Sequence, residues 1–116
     1  MTNLQAIFHI GESEKWLLTL ANVNNLLNDI GEDAIRVVVL ANSYAVRDYV
    51  PYSENNALLE KIKELSEKGV MFKACRNSLR GNNIDEKTLP TYVEIVPSGV
   101  SELIKRQAEG YGYIRP

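Results

Sequence analysis

Segments with the character of β-strands alternate with segments of helical periodicity along the 116-residue chain. β-Branched, aromatic and other apolar residues cluster at 4–10, 35–41, 70–75 and 91–96, each next to turn-forming residues. Strands joined by helices in this order make β-α-β crossovers, which place parallel strands between layers of helices. The alternation therefore predicts a three-layer α/β/α sandwich with a mainly parallel sheet of about five strands. The fifth is a short edge strand in the tail YGYIRP.

The predicted helices begin and end at residues that commonly cap helices. The first covers 13–30, and the second runs from a cap at Ser53 to Gly69. A helical turn is expected before Pro51, another after the third strand at 76–83, and another after Asp85, while a last helix opens at Ser98. Helical spacing predicts two inward-facing stripes, which are Trp16, Leu20 and Val23 in the first helix and Leu103, Ile104, Gln107 and Ala108 in the last. Ser13 is expected to cap the first helix and Gly31 to end it.

The composition is that of an ordinary globular domain. Apolar residues make up 45% and charged residues 24%, with a formal net charge of -2, so we expect a single domain over residues 1–116. No dense basic run appears, which argues against a nucleic-acid partner. The first apolar segment stops at Gly11 and is too short for a signal peptide or a membrane span. With its lone thiol, the chain is expected in the cytoplasm without a membrane partner.

A single cysteine and a single histidine limit the covalent and metal chemistry of the chain. Neither an intramolecular disulfide nor a structural zinc site is expected. The segment GESEKW has neither the G-x-G-x-x-G spacing nor the Walker lysine, so dinucleotide binding of the usual kind is not expected either. The sequence thus predicts no metal and no cofactor.

Polar residues follow all four predicted strands. Parallel sheets bind ligands beyond the carboxyl ends of their strands, so these residues should share one rim. The candidates for that rim are His9, Asn42, Cys75, Arg76, Asn77, Ser98 and Gly99. The sequence does not fix the distances between them.

Cys75 is the candidate nucleophile of this rim. A helical turn directly after Cys75 would offer backbone N–H groups that favour the thiolate, and Lys73, Arg76 and Arg80 add positive charge. The alternative is a thiol that only packs in the core, since free cysteines are among the most buried residues. A phosphatase-type loop needs an arginine after five intervening residues, and Gly81 occupies that position, so this chemistry is disfavoured.

The other rim residues also have two interpretations. His9 could assist the thiol as an acid or base, or it could be a satisfied, partly buried ring. Ser98 with Gly99 could offer backbone donors to an anion, or Ser98 could simply cap the last helix. Asn42 and Asn77 could donate hydrogen bonds to a ligand, although asparagine is common in turns. Tyr111 and Tyr113 follow the last helix and could complete a contact between subunits.

The segments HIGESEKW, VVVLAN, GVMFKACRNSL and VEIVPSGVSELIKRQAEGYGYIRP, in this order, resemble the small DsrE/DsrF-like proteins with the YchN-like fold. The resemblance runs over nearly the whole chain and is most specific around Cys75 and from Pro97 to Pro116. It differs after Asn42, where many short members have glycine and this chain has Ser43.

The resemblance implies a three-layer α/β/α domain that assembles into homotrimers or hexamers. It also implies that Cys75 corresponds to a cysteine that accepts sulfur as a persulfide and passes it on, between a donor and an acceptor protein. The function expected is therefore a sulfur carrier or sulfurtransferase. From the strand ends, rather than from the resemblance, we expect His9, Asn42, Arg76, Asn77, Ser98 and Gly99 around the sulfur. The alternative is a non-catalytic oligomeric module that binds a small ligand or a protein, with a structural Cys75.

Overall fold

The computed structural model describes residues 4–116, without the side chain of Ser53. Its five strands form one sheet in the order β4-β3-β2-β1-β5, and every neighbouring pair is parallel. The strands are β1 (Leu4–Ile10), β2 (Ile35–Ala41), β3 (Met71–Cys75), β4 (Val93–Val96) and β5 (Gly112–Ile114). This confirms the predicted α/β class and the five-stranded parallel sheet.

Four α-helices and four short 3-10 helices connect the strands. The α-helices are α1 (Trp16–Ile30), α2 (Asn56–Glu67), α3 (Arg76–Gly81) and α4 (Gly99–Ala108). The 3-10 helices cover Ser13–Lys15, Ser43–Tyr49, Ser53–Asn55 and Glu86–Thr88. The turns predicted before Pro51 and after Asp85 are therefore present, and Asp85 caps the latter by accepting a hydrogen bond from the Lys87 amide.

The strand order explains why α4 is alone on its face of the sheet. From β1 to β4 the chain steps in one direction, so right-handed crossovers place α1, α2 and α3 on one face. The chain then returns to pair β5 with the other side of β1, and this reversal places α4 on the opposite face. The strand order thus reverses between β1 and β5.

The two faces of the sheet bury very different amounts of apolar surface. The larger core lies under α1, α2 and α3 and centres on Trp16, whose indole N–H donates to the Ala45 carbonyl oxygen at 3.0 Å and whose ring meets Tyr49 edge-on. The smaller core consists of six buried residues, Ile7, Val38, Leu40, Val96, Leu103 and Tyr111. Beside it, Lys73 Nζ on β3 lies 2.6 Å from Glu102 Oε2 on α4, and both side chains are buried. The inward stripe predicted for α1 is confirmed.

Two details of the predicted helices are wrong. Ser13 does not cap the first helix, because the helix begins with a 3-10 turn and the Ser13 hydroxyl donates instead to the Tyr44 carbonyl oxygen at 3.3 Å. In α4, Leu103 is buried, but Ile104, Gln107 and Ala108 are exposed. Glu102 faces inward instead of Ile104, since it finds a cationic partner in Lys73. The cap predicted at Ser53 concerns a side chain outside the described ones.

Within residues 4–116, none of the helices combines the length and the hydrophobicity that crossing a bilayer requires.

Candidate functional site

The carboxyl ends of β1, β2 and β3 and the start of α4 meet at one rim of the sheet, as predicted. They bring together His9, Asn42, Cys75 and Gly99. A side-chain carbon on Gly99 would lie 3.5 Å from both Cys75 Sγ and Asn42 Cβ. Asn42 Oδ1 in turn lies 3.1 Å from His9 Nε2. These four residues form a continuous set of contacts, which we call the sulfur rim.

Gly99 is the closest neighbour of the Cys75 sulfur on α4. Its backbone N–H donates a hydrogen bond to Cys75 Sγ at 3.2 Å. A Cβ at this position would lie 3.2 Å from Cys75 Cβ, so a larger residue would push α4 away from β3. Gly99 therefore allows the first turn of α4 to place a backbone donor directly on the sulfur.

The surroundings of Cys75 favour its thiolate. Burial alone would raise the pKa of the thiol, but hydrogen-bond donors outweigh it and hold the pKa below its usual value. These donors are the Ser78 hydroxyl and the backbone N–H groups of Ser78, Gly99 and Asn77. Cys75 is nevertheless only 5% exposed, so a reaction partner reaches it only if the rim opens.

Ser78 is a residue of the rim that the sequence interpretation did not identify. Its Oγ accepts a hydrogen bond from the Ser43 N–H at 2.7 Å, so the hydroxyl proton is available to the sulfur. Ser43 adopts a left-handed backbone conformation with φ of 50°, which is uncommon for a residue other than glycine. Side chains at the third position of a helix face back toward its cap, and Ser78 holds that position after Cys75. This rule could have identified Ser78 from the sequence.

His9 connects the sulfur rim to the last strand. Tyr113 Oη lies 2.7 Å from His9 Nδ1, and Asn42 Oδ1 lies on the other side of the ring. The pKa of His9 lies below its usual value, mainly because the ring is partly buried. The positive charge of Arg115 also lowers this pKa, and the hydrogen bond with Asn42 partly opposes the shift. The ring is therefore neutral at physiological pH. A neutral ring accepts from the Tyr113 hydroxyl at Nδ1 and donates from Nε2 to Asn42 Oδ1.

The remaining predicted residues lie at the rim without turning their side chains to the sulfur. Arg76 forms an ion pair with Glu86, with Arg76 Nη2 3.2 Å from Glu86 Oε1. Asn77 has an exposed side chain and offers the sulfur its backbone N–H. Ser98 caps α4, since its Oγ accepts from the Ser101 N–H at 3.3 Å.

The sulfur rim can stabilise and orient one anionic sulfur atom. Hydrogen-bond donors surround Cys75 Sγ, and the buried Lys73 next along the same face of β3 is neutralised by Glu102. No three His, Cys, Asp or Glu side chains in the described part of the chain group together as metal ligands would. The chemistry that this arrangement supports directly is that of a thiolate nucleophile.

Comparison with known proteins agrees with this architecture. The chain matches a solved structure of a protein of unknown function from Methanobacterium thermoautotrophicum at 36% identity, with a TM-score of 0.86, over 97% of this chain and 99% of that one. The ychN protein of E. coli has the same fold, with a TM-score of 0.78 at 19% identity, over 97% of this chain and 100% of that one. A search of curated proteins gave no match.

A family model locates the match in the sequence itself. The DsrE/DsrF-like family matches residues 6–116, which include all four residues of the sulfur rim and Ser78. The chain therefore belongs to the DsrE/DsrF-like family.

Proposed function

We propose that the protein is a sulfur carrier whose Cys75 holds sulfane sulfur as a persulfide. The observation that carries the proposal is the hydrogen bond from the Gly99 N–H to Cys75 Sγ, at the rim where parallel sheets bind ligands. The lowered pKa of Cys75 supports it, because the thiolate is the nucleophilic form. Membership of the DsrE/DsrF-like family adds an analogy of fold.

The transfer step needs no cofactor. The Cys75 thiolate attacks the outer sulfur of a donor persulfide, R–S–SH, and a new S–S bond forms while the donor's S–S bond breaks. The electron pair of the broken bond leaves with R–S⁻, and Cys75 carries the –S–SH group. Delivery to an acceptor thiolate repeats the same exchange in the other direction. The donors around Sγ stabilise the thiolate before loading and again after delivery.

The burial of Cys75 defines what a donor has to do. Because Cys75 is 5% exposed and lies against Gly99, the first turn of α4 has to move before an outer sulfur can reach it. The same cover would shield a persulfide from bulk thiols between transfers. Burial is thus compatible with a carrier that opens on contact with its partner.

Sulfur loading provides the direct test. The protein is incubated with a cysteine desulfurase and isotopically labelled cysteine, and its peptides are then mapped by mass spectrometry. We expect the labelled persulfide on the peptide that contains Cys75 and none in the Cys75→Ser variant. If Cys75 stays unmodified under conditions that load a known carrier, the proposal is wrong.

The second candidate is a non-catalytic binding module, which the burial of Cys75 favours. In that case the thiol packs against Gly99, and another surface binds a ligand or a protein. Thiol alkylation separates the two functions: iodoacetamide should modify a carrier near neutral pH from the folded state, through local opening of α4, whereas a packed thiol should react only after unfolding. A homo-oligomeric assembly, the identity of donor and acceptor proteins, and a cytoplasmic location stay predictions.

A further inference from the structure

We propose that Asn42 presents its side-chain NH₂ group to the sulfur held by Cys75, and that His9 and Tyr113 fix the amide in that orientation. The inference rests on the proposed sulfur-carrier function, and it names the group that would bind the outer sulfur. Asn42 is then a binding residue, and His9 and Tyr113 are positioning residues.

Asn42 lies against the start of α4. It follows β2, which lies between β1 and β3 in the sheet, so its neighbours on the rim are His9 on one side and Cys75 on the other. Asn42 Cβ and Cys75 Sγ both lie within 3.5 Å of the same point beside Gly99. The side chain is half-buried on the same rim.

Hydrogen bonding fixes which end of the Asn42 amide faces which neighbour. Oδ1 accepts from His9 Nε2 at 3.1 Å and lies beside Gly11, where a Cβ would be 3.2 Å away. Because His9 holds Oδ1 on the β1 side, Nδ2 is the branch of the amide that His9 does not engage. In the described part of the chain, no group accepts a hydrogen bond from Asn42 Nδ2. This NH₂ group is therefore available to a ligand.

Arg115 and Tyr113 together favour the His9 tautomer that donates to Asn42. A neutral imidazole carries one N–H; Arg115 Nη1, which can only donate, lies 3.3 Å from His9 Nδ1, and the Tyr113 hydroxyl lies 2.7 Å from the same nitrogen, so the proton is on Nε2. The Tyr113 ring also packs against the His9 ring, with their centroids 5.8 Å apart. This relay crosses the β1/β5 boundary, where the strand order reverses. The Asn42 NH₂ group can only donate hydrogen bonds, so its ligand must be an acceptor. The negatively charged outer sulfur of a persulfide is such an acceptor.

The pH dependence of alkylation of the Cys75 persulfide, formed by treating the protein with inorganic polysulfide, tests the relay without a donor protein. We expect Asn42→Ala to raise the apparent pKa of this persulfide and to slow its reaction with iodoacetamide about threefold to tenfold. Asn42→Asp should slow it more, because a carboxylate would replace the donor. Tyr113→Phe should act in the same direction but more weakly, because Arg115 Nη1 still donates to His9 Nδ1, and the double variant should be no slower than Asn42→Ala alone. Tyr44→Phe, at an exposed ring that stacks on Arg47, is the matched control and should change nothing.

Amide NMR signals provide a second measurement should the thiol resist alkylation. The side-chain ¹⁵N–¹H signals of Asn42, identified by their loss in Asn42→Asp, should shift when polysulfide converts Cys75 to its persulfide, and Cys75→Ser should abolish that shift. Asn42 signals that do not respond to polysulfide, or alkylation profiles that Asn42→Ala leaves unchanged, would overturn the inference. A Cys75 persulfide that depends on Asn42 but never forms with a desulfurase would refute the carrier function and leave the contact between Asn42 and the outer sulfur supported.

Discussion

Ser78 shows how a single hydroxyl can set the reactivity of a buried thiol. It accepts from the Ser43 N–H, so its own proton is free to point at Cys75 Sγ, and it is the largest favourable contribution to the lowered pKa of that thiol. Ser43 provides this N–H from a left-handed conformation, which costs on the order of 1 kcal/mol for a residue with a side chain. The hydrogen bond between the Ser43 N–H and Ser78 Oγ is one of the contacts that stabilise this strained conformation.

Removing this hydroxyl should shift the reactivity of Cys75 to higher pH. In Ser78→Ala the thiolate loses a donor, so the folded-state pKa of Cys75 rises toward its usual value and the thiolate fraction at neutral pH falls. We expect the midpoint of the alkylation profile to move up by about 0.5 to 1 pH unit. Ser66→Ala, whose hydroxyl donates only to the Lys63 carbonyl oxygen on α2, is the control. An unchanged midpoint in Ser78→Ala would contradict this account.

The rim residues were predictable from the sequence, but their pairings were not. Strand ends in a parallel sheet share an edge, and this rule alone brought His9, Asn42 and Cys75 together. The hydrogen bond between His9 and Tyr113 joins residues 104 positions apart. It depends on β5 pairing with β1, and no local pattern specifies that pairing. The same holds for Arg76, whose partner Glu86 belongs to a 3-10 turn on the other side of Gly81.

At the scale of elements, the Lys73–Glu102 pair ties α4 to β3. The two side chains are 8% and 10% exposed and lie 2.6 Å apart, while Glu94 and Arg106 extend the network at 3.8 and 3.3 Å. A buried charge is costly unless it is paired. Lys73 precedes Cys75 by two residues on the same face of β3, so this pair also helps to fix the distance between Gly99 and the sulfur.

Neutralising one member of this pair should destabilise the fold. We expect Glu102→Gln to lower the free energy of unfolding by about 2 to 4 kcal/mol, because Lys73 keeps a buried charge with only Glu94 nearby. Glu109→Gln, at an exposed carboxylate of the same helix that pairs with Arg106, should cost about 0.5 kcal/mol or less. Urea titrations measure both. The double variant Lys73→Met with Glu102→Leu should recover most of the loss, and a neutral effect of Glu102→Gln alone would show that the pair is dispensable.

This pair also explains the wrong prediction for α4. Hydrophobic periodicity selected Ile104 as an inward residue, yet the helix rotates so that Glu102 and Leu103 face the sheet. Burying an unpaired glutamate costs free energy, so hydrophobic periodicity predicts an exposed Glu102. The ion pair with Lys73, which the sequence does not show, offsets this cost. In α1, by contrast, the inward residues are apolar except for Thr19, so the pattern alone determined the face of the helix.

At the scale of the whole molecule, the two layers of helices are attached with unequal strength. The α1 side buries a cluster of twenty-one residues against the sheet, whereas the α4 side buries six, of which α4 itself supplies Leu103. Each buried large apolar side chain contributes roughly 1.5 to 3 kcal/mol. The α4 layer should therefore open at a lower free energy than the rest of the fold. Opening of α4 uncovers Cys75, because Gly99 is the first residue of α4 and contacts the Cys75 sulfur.

Native-state hydrogen exchange can measure this difference directly. We expect the amides of α4 around Leu103 to exchange with a free energy of opening at least about 2 kcal/mol below that of α1 amides around Val23, since α1 buries four large apolar side chains and α4 one. Alkylation of Cys75 in sub-denaturing urea should follow the α4 amides, with a urea dependence smaller than that of global unfolding, because only one layer has to move. Equal opening energies in α1 and α4, or alkylation that tracks global unfolding, would mean that Cys75 is reachable only in the unfolded chain, which is the behaviour of a packed thiol rather than of a carrier.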